Sequence, residues 1–173
     1  MLKTIILILF AFSIFAVGQK RDTKSAQFLV VLGTAQDAGY PQIGCERTDC
    51  IAAQKDRNLR KLVVSLGLVD AAAKQKWLFE AALVISEQLF SLYTHLPSKN
   101  MLPDGIFLTH AHIGHYSGLM YLGREAIGAN LVPVYAMPRM ESFLNENAPW
   151  SQLVKLNNIE IRKLIDNESI SLN

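Results

Sequence analysis

The chain has 173 residues, half of them hydrophobic, with 17 basic and 15 acidic side chains and a formal net charge of +2. That length suits one domain with its own core rather than two full-sized domains. The nearly balanced charge includes no basic block, so nothing in the composition marks a nucleic-acid surface or an acidic partner.

The N-terminus has the pattern of a secretory signal peptide. One lysine precedes an apolar run, Ile5–Val17, which is interrupted only by Ser13, and Ala16 and Gly18 give the small-x-small pattern of a cleavage site. A membrane-spanning helix needs about 20 apolar residues, so this run is short for one. We therefore expect cleavage after Gly18 and export to the periplasm or the medium. An uncleaved membrane anchor is the alternative.

The rest of the chain divides into a polar lead-in, residues 19–27, and one domain, residues 28–173. The apolar periodicity predicts strands at 28–32, 62–69, 77–80, 106–109, 132–136, 159–164 and 170–172, and helices at 83–96, 116–128 and 138–147. The short polar link between the second and third strands predicts an antiparallel hairpin. Hairpins followed by alternating strands and helices indicate an α/β or α+β layered domain.

The two cysteines lie close together in a loop rich in turn residues. Cys45 and Cys50 have C-x4-C spacing, which permits a small disulfide-closed loop in an exported protein. The same spacing permits half of a structural zinc site, because closely spaced thiolates are common zinc ligands. The sequence leaves these two interpretations even.

Three of the four histidines fall in one short stretch, "FLTHAHIGHYSGL". In extended chain His110 and His112 point the same way, and a turn into the following helix could bring His115 to the same place. Converging imidazoles at the end of a buried strand are typical of a zinc site or a site for a similar metal. The fourth histidine, His95, lies alone in a helical pattern and is not a ligand candidate.

"LTHAHIGHYSGL" resembles the H-x-H-x-D-H signature of the metallo-β-lactamase-fold hydrolases. Together with "VLGTAQDAGYPQIGC", it is more closely similar to the branch of pyrroloquinoline quinone biosynthesis protein B and its phosphodiesterase-like relatives, over about residues 28–165. The resemblance implies an α/β fold, the N-terminal part of a four-layer αββα sandwich. It also implies one or two bound zinc ions, with iron and manganese as alternatives.

The resemblance implies a role for each motif histidine. His110 and His112 would bind a first metal, and His115 would contribute to a second. Glu80, at the end of the third predicted strand, would lie beneath the site and orient a ligand without binding the metal itself. An ordinary charged strand end is the other interpretation of Glu80. No catalytic residue can be assigned.

The chain departs from the family pattern in two places. Gly114 stands where the signature has its Asp, so a carboxylate ligand and usual proton acceptor is missing. The site then either holds one metal or takes a ligand from elsewhere. The family's later motifs supply another histidine, a bridging Asp and a final histidine, but no histidine follows His115. The resemblance therefore predicts that the chain is incomplete at its C-terminal end.

Three functions follow from these observations. The leading one is a metallohydrolase that uses metal-bound hydroxide on an ester, phosphodiester or lactam-like bond. The second is a degenerate, non-catalytic metal-binding member, which Gly114 and the missing motifs favour. The third is a metal-dependent oxidative enzyme related to quinone cofactor biosynthesis, although His112 stands where di-iron flavoproteins of this fold have Glu. The sequence does not indicate the oligomeric state.

Overall fold

The computed structural model describes residues 27–172. The predicted signal segment, residues 1–18, and all of the predicted lead-in except its last residue lie outside this part. Gln27, assigned to the lead-in, instead begins the first strand. Within residues 27–172, no helix has both the length and the apolar character needed to cross a membrane.

Six strands and five α-helices form the described part of the chain. The strands are β1 (Gln27–Gly33), β2 (Ser65–Asp70), β3 (Gln75–Phe79), β4 (Gly105–Phe107), β5 (Val132–Ala136) and β6 (Ile159–Lys163). The helices are α1 (Thr48–Lys55), α2 (Ile85–His95), α3 (Ile113–Tyr116), α4 (Pro138–Glu146) and α5 (Trp150–Lys155). A short 3₁₀ helix, Ser117–Leu122, directly follows α3.

The strands form one sheet in the order in which they occur along the chain. β1, β2 and β3 pair in an antiparallel manner, which confirms the predicted hairpin. β3, β4, β5 and β6 then pair in parallel, and the connections between them contain the helices α2 to α5. One side of the sheet is therefore antiparallel and the other is parallel with helical connections. Because β3 and β4 are parallel neighbours, their carboxyl ends lie side by side.

The core lies on one face of the sheet. The paired residues Gly67, Leu78, Ile106 and Val134 share that face. There they form one cluster with α2, α4 and α5 through Leu92, Leu144 and Leu153, among others. At Gly67 the helix α2 packs closely on the sheet, because a Cβ atom there would lie 2.5 Å from Cδ1 of Leu92. The sheet and its helices thus make two packed layers, one of strands and one of helices.

The opposite face of the sheet carries an aromatic row. Phe79 pairs with Phe107, and Phe107 pairs with Tyr135, so the three rings point the same way. Their ring centroids are 5.0 and 4.3 Å apart, in stacked orientation. The residues nearest the C-terminus, Ile170 and Leu172, also lie on this side, beside Trp77 and Leu68.

The structure corrects several element predictions. The helix predicted at 116–128 is only α3 and its 3₁₀ extension, because the chain leaves helical geometry at Gly123, with ψ of 169°. Ile127, near the end of the predicted helix, is 55% exposed. The predicted strand 170–172 is not a strand, and α1 and α5 were not predicted. Leu62 to Val64, predicted as strand, instead make isolated contacts with the loop after β1.

Candidate metal centre

The histidine motif lies at the carboxyl edge of the sheet, where β3 and β4 pair in parallel. Phe79 and Phe107 are direct neighbours, so the residues that follow them leave the sheet side by side. Glu80 comes directly after β3, and its backbone N–H donates to the carbonyl oxygen of Phe107 at 2.8 Å. The motif begins a few residues after β4. Loops at strand ends commonly carry functional side chains in α/β proteins.

The turn that carries His115 is fixed against the segment after β3. The N–H of Ala81 donates to the carbonyl oxygen of His115 at 2.8 Å, and the N–H of Gly118 donates to that of Ala81, also at 2.8 Å. A Cβ atom at residue 118 would lie 2.0 Å from the carbonyl oxygen of Ala82. Only glycine therefore fits at this position, and the motif is held at a defined distance from Glu80.

The three motif histidines converge. The ring centroid of His110 lies 4.0 Å from that of His115 and 4.6 Å from that of His112. His115 is buried, whereas His110 and His112 are exposed, the side chain of His112 to 74%. The cluster is therefore anchored on the protein side and open on the other, as a catalytic metal site must be to admit substrate.

Glu80 lies on the buried side of His115. Its Oε2 is 3.3 Å from Nδ1 of His115, and both side chains are less than 10% exposed. The hydroxyl of Thr109 donates to Oε1 of Glu80. Carboxylates placed in this way fix the orientation of a ligand histidine and raise its basicity. The backbone of Glu80 adopts a positive φ of 73°, which is uncommon for a residue with a side chain.

Thr109 also determines which nitrogen of His110 can bind a metal. The Thr109 oxygen lies 2.8 Å from Nδ1 of His110. A hydroxyl has one proton, and this one is donated to Glu80, so the oxygen can only accept from His110. Nδ1 must then carry the proton, which leaves Nε2 as the ligand atom.

A carboxylate that the sequence did not single out completes the cluster. Asp37, in the loop after β1, has Oδ1 at 3.1 Å from Nε2 of His115 and Oδ2 at 3.8 Å from Nδ1 of His112. Burial raises the pKa of Asp37, but the hydrogen bond with His115 and the charges of His115 and His112 outweigh it, so that the pKa is lowered overall. Asp37 and Glu80 thus face opposite nitrogens of His115.

The loop that carries Asp37 is hydrogen-bonded to the segment just before β2. The N–H groups of Thr34 and Ala35 both donate to the carbonyl oxygen of Leu62, at 3.0 and 2.9 Å. Further along, Tyr40 and Lys61 pair in an antiparallel bridge. The loop is therefore fixed beside the motif although 78 residues separate Asp37 from His115.

The residues present fit a metal ion. One ligand atom each from Glu80, His110 and His115 lie within 4.8 Å of one another. Oε2 of Glu80 and Nδ1 of His115 are both buried and lie 3.3 Å apart, but their contact does not have hydrogen-bond geometry. A cation in the cluster would compensate the carboxylate charge, and imidazole and carboxylate are suitable ligands for zinc.

The structure groups the predicted site residues differently from the family pattern. The pattern joins His110 with His112, whereas the tightest group here joins His110 with His115 and Glu80, and His112 faces Asp37. Glu80, for which the resemblance implied an orienting role, contacts His115 and Thr109. His95 is exposed and packs edge-on against Phe28, with ring centroids 6.2 Å apart. The roles of the motif residues as ligands stay predictions.

Cys45 and Cys50 form a disulfide, with their Cα atoms 5.9 Å apart. Cys50 is buried in α1 and Cys45 lies in the preceding loop. Of the two interpretations that the spacing allowed, the structure therefore has the disulfide and not the zinc half-site. The bond joins α1 to the end of the loop that carries Asp37.

Comparison with known proteins identifies the fold. No protein-family model matches the sequence, and no curated protein matches it. Among solved structures, it is similar to zinc-bound PqqB from Methylobacterium extorquens, with a TM-score of 0.66, 19% identity and 82% of this chain covered. It is also similar to a diphosphatase of the PhnP family, with a TM-score of 0.59, 26% identity and 83% of this chain covered.

The described part of the chain has the metallo-β-lactamase fold. The matched regions make up 50% of the PqqB chain and 52% of the diphosphatase chain, so this chain spans about half the length of the solved chains that it matches.

Proposed function

We propose that the protein is a metal-dependent hydrolase whose metal centre is formed by His110, His112 and His115. The observation that carries this proposal is the convergence of the three imidazole rings beside two carboxylates, those of Glu80 and Asp37. Zinc, which the similar PqqB structure contains, is the first metal to test, with iron and manganese as alternatives. Glu80 would orient His115 from its buried side.

A bound zinc ion would supply two effects, a lowered pKa of water and polarisation of the scissile group. The protein's own residues would provide the geometry. Thr109 would hold the proton of His110 on Nδ1 and so leave Nε2 free to bind the metal. Glu80 faces Nδ1 of His115, which leaves the opposite nitrogen, Nε2, facing Asp37. The exposed position of His112 leaves a path for the substrate.

A small molecule with an ester, phosphodiester or lactam-like bond is the proposed substrate. The similar PhnP-family protein is described as a diphosphatase, which supports phosphate-containing compounds as the first class to test. Substrate choice in a shared fold depends on the site and its loops rather than on the fold itself.

The test combines metal binding with hydrolysis. The full chain would be stripped with a chelator, reloaded with zinc, manganese or iron, and assayed with bis(p-nitrophenyl) phosphate, a p-nitrophenyl ester and a chromogenic lactam. His110→Ala should abolish both metal binding and turnover. His95→Ala is the matched control, because His95 is the one histidine outside the motif, and it should behave as wild type. Wild-type protein that binds no metal would overturn the proposal.

A non-catalytic metal-binding protein is the second candidate, and Gly114 favours it. That position lacks the carboxylate which the family uses as a proton acceptor. This candidate predicts metal binding that depends on His110 together with no turnover of any of the three substrate classes. The same experiment therefore separates the two functions.

We also propose that the protein is exported. The support is the signal-like segment of residues 1–18 and the Cys45–Cys50 disulfide, since such bonds persist in oxidising compartments. Mass spectrometry of the protein from its own source would test this. A mature chain that begins at Gln19 with both cysteines oxidised is expected, whereas an unprocessed N-terminus with reduced thiols would contradict the proposal.

A further inference from the structure

Gly114 has no room for the side chain that the family signature has there. A Cβ atom at this position would lie 2.2 Å from the carbonyl oxygen of Asp37, 2.5 Å from its Cα and 2.6 Å from its Cβ. Backbone atoms cannot move away from such a contact as a flexible side chain can. Gly114 is therefore buried beneath Asp37, and the chain at residue 37 fills the space of a side chain at residue 114.

The carboxylate of Asp37 reaches two of the motif histidines from this position. Its oxygens lie 3.1 Å from Nε2 of His115 and 3.8 Å from Nδ1 of His112. With zinc bonds of roughly 2.0–2.2 Å, neighbouring ligand atoms of a tetrahedral site lie roughly 3.3 Å apart. The two measured distances bracket that value. The side chain of Asp37 is also 43% exposed, so a metal held there would be accessible from solvent.

We propose that Asp37 is a metal ligand that replaces the carboxylate missing at Gly114, acting with His112 and His115. The exchange moves the carboxylate from the histidine motif to the loop after β1 and requires glycine at position 114. This inference rests on the proposed metal centre, but it can fail while that proposal holds.

The direct test is cobalt spectroscopy of Asp37→Cys in the full chain. Both native cysteines are in the disulfide, so a thiolate at residue 37 would be the one available to Co²⁺. We expect a thiolate-to-cobalt charge-transfer band in the near ultraviolet that saturates with bound cobalt. Gln36→Cys, one residue earlier in the same loop and exposed, should bind cobalt without the band. A missing band in Asp37→Cys with cobalt bound would overturn the inference.

Two further variants keep the inference falsifiable if the cysteine variant folds poorly. Asp37→Asn should weaken zinc binding by about tenfold or more, measured by competition with a chromogenic chelator. Gly114→Asp should also weaken it, because the new side chain must displace residue 37. If Gly114→Asp instead tightens zinc binding, there is room for a carboxylate at residue 114, and the inference is wrong.

The outcomes also distinguish the two proposals. Loss of zinc binding in His110→Ala together with wild-type binding in Asp37→Asn would reject Asp37 as a ligand and keep the metal centre. No zinc binding by wild-type protein would reject both. Circular dichroism of each metal-free variant would show whether the fold is retained.

Discussion

Gly118 packs against the carbonyl oxygen of Ala82 so closely that a methyl group at residue 118 would lie 2.0 Å from it. We expect Gly118→Ala to lower the free energy of unfolding by about 3 kcal/mol, because overpacking against backbone forces the two segments apart. Urea denaturation would measure the loss. Gly123→Ala is the matched control, since its nearest contact would be 3.1 Å away. Equal effects of the two substitutions would contradict this interpretation.

Glu80→Gln tests the carboxylate behind His115. The amide keeps the volume and a carbonyl oxygen for Thr109 but removes the negative charge. We expect zinc affinity to fall about 10- to 100-fold, as for other residues that orient a ligand histidine. Chelator competition would measure it, with Glu87→Gln on the exposed side of α2 as control. Loss of all metal binding would instead make Glu80 a ligand.

Asp70 gives the stability of the β2–β3 hairpin a defined pH dependence. Its pKa is lowered by hydrogen bonds from the backbone N–H of Ala73, the side chain of Gln27 and the N–H of Ala72, against an opposing effect of burial. A carboxyl group whose pKa is lower in the folded chain stabilises the fold above its unfolded pKa of 3.8. That contribution is lost as the pH falls through the folded pKa.

Asp70→Asn should therefore be less stable than wild type at pH 7, and the difference should narrow below about pH 4. Guanidinium denaturation at several pH values would measure it. Asp166→Asn, at an exposed aspartate near the C-terminal end of the described residues, is the control. A difference between Asp70→Asn and wild type that stays constant from pH 7 to pH 3 would reject the prediction.

Lys76 is a buried cation that ties β3 to the segment after α2. Its Nζ donates to Oγ of Ser98 at 2.8 Å and to the carbonyl oxygen of Asn100 at 3.0 Å. Burial lowers the pKa of Lys76, and the charge of Asp104 opposes this. We expect Lys76→Met to lose about 1–3 kcal/mol of stability, because the partners of the ammonium group are left unpaired. Lys155→Met, at an exposed lysine of α5, should change thermal unfolding little, and equal losses would contradict the prediction.

Most of the sheet could be predicted because its strands are short apolar runs bounded by turn residues. The strand at Phe28–Leu32 and the hairpin that follows agree with β1 to β3 within a few residues. The helix α1 was missed because its apolar residues do not follow a helical stripe, and only Cys50 and Ala53 are buried. The prediction of a long helix after the histidines was wrong because the backbone leaves helical geometry at Gly123 and has a positive φ at Gly128, although the apolar spacing is helical.

The site was predictable only where its residues are close in sequence. The spacing of His110, His112 and His115 is visible locally, and Glu80 came from the family resemblance. Asp37 carries no local signal, because its partners lie more than 70 residues away. Its role depends on the missing side chain at Gly114, a relation between two distant positions that the folded backbone reveals and local periodicity does not.

Because the cluster lies at the shared edge of β3 and β4, the proposed metal binding would depend on folding. An unfolded chain offers only the three neighbouring histidines, whereas Glu80 and Asp37 join them once the sheet has formed. Part of the binding free energy is then coupled to folding. Metal at one hundred times its dissociation constant would stabilise the folded state by about 2.7 kcal/mol. A substitution that loosens the sheet would therefore weaken metal binding without touching any ligand.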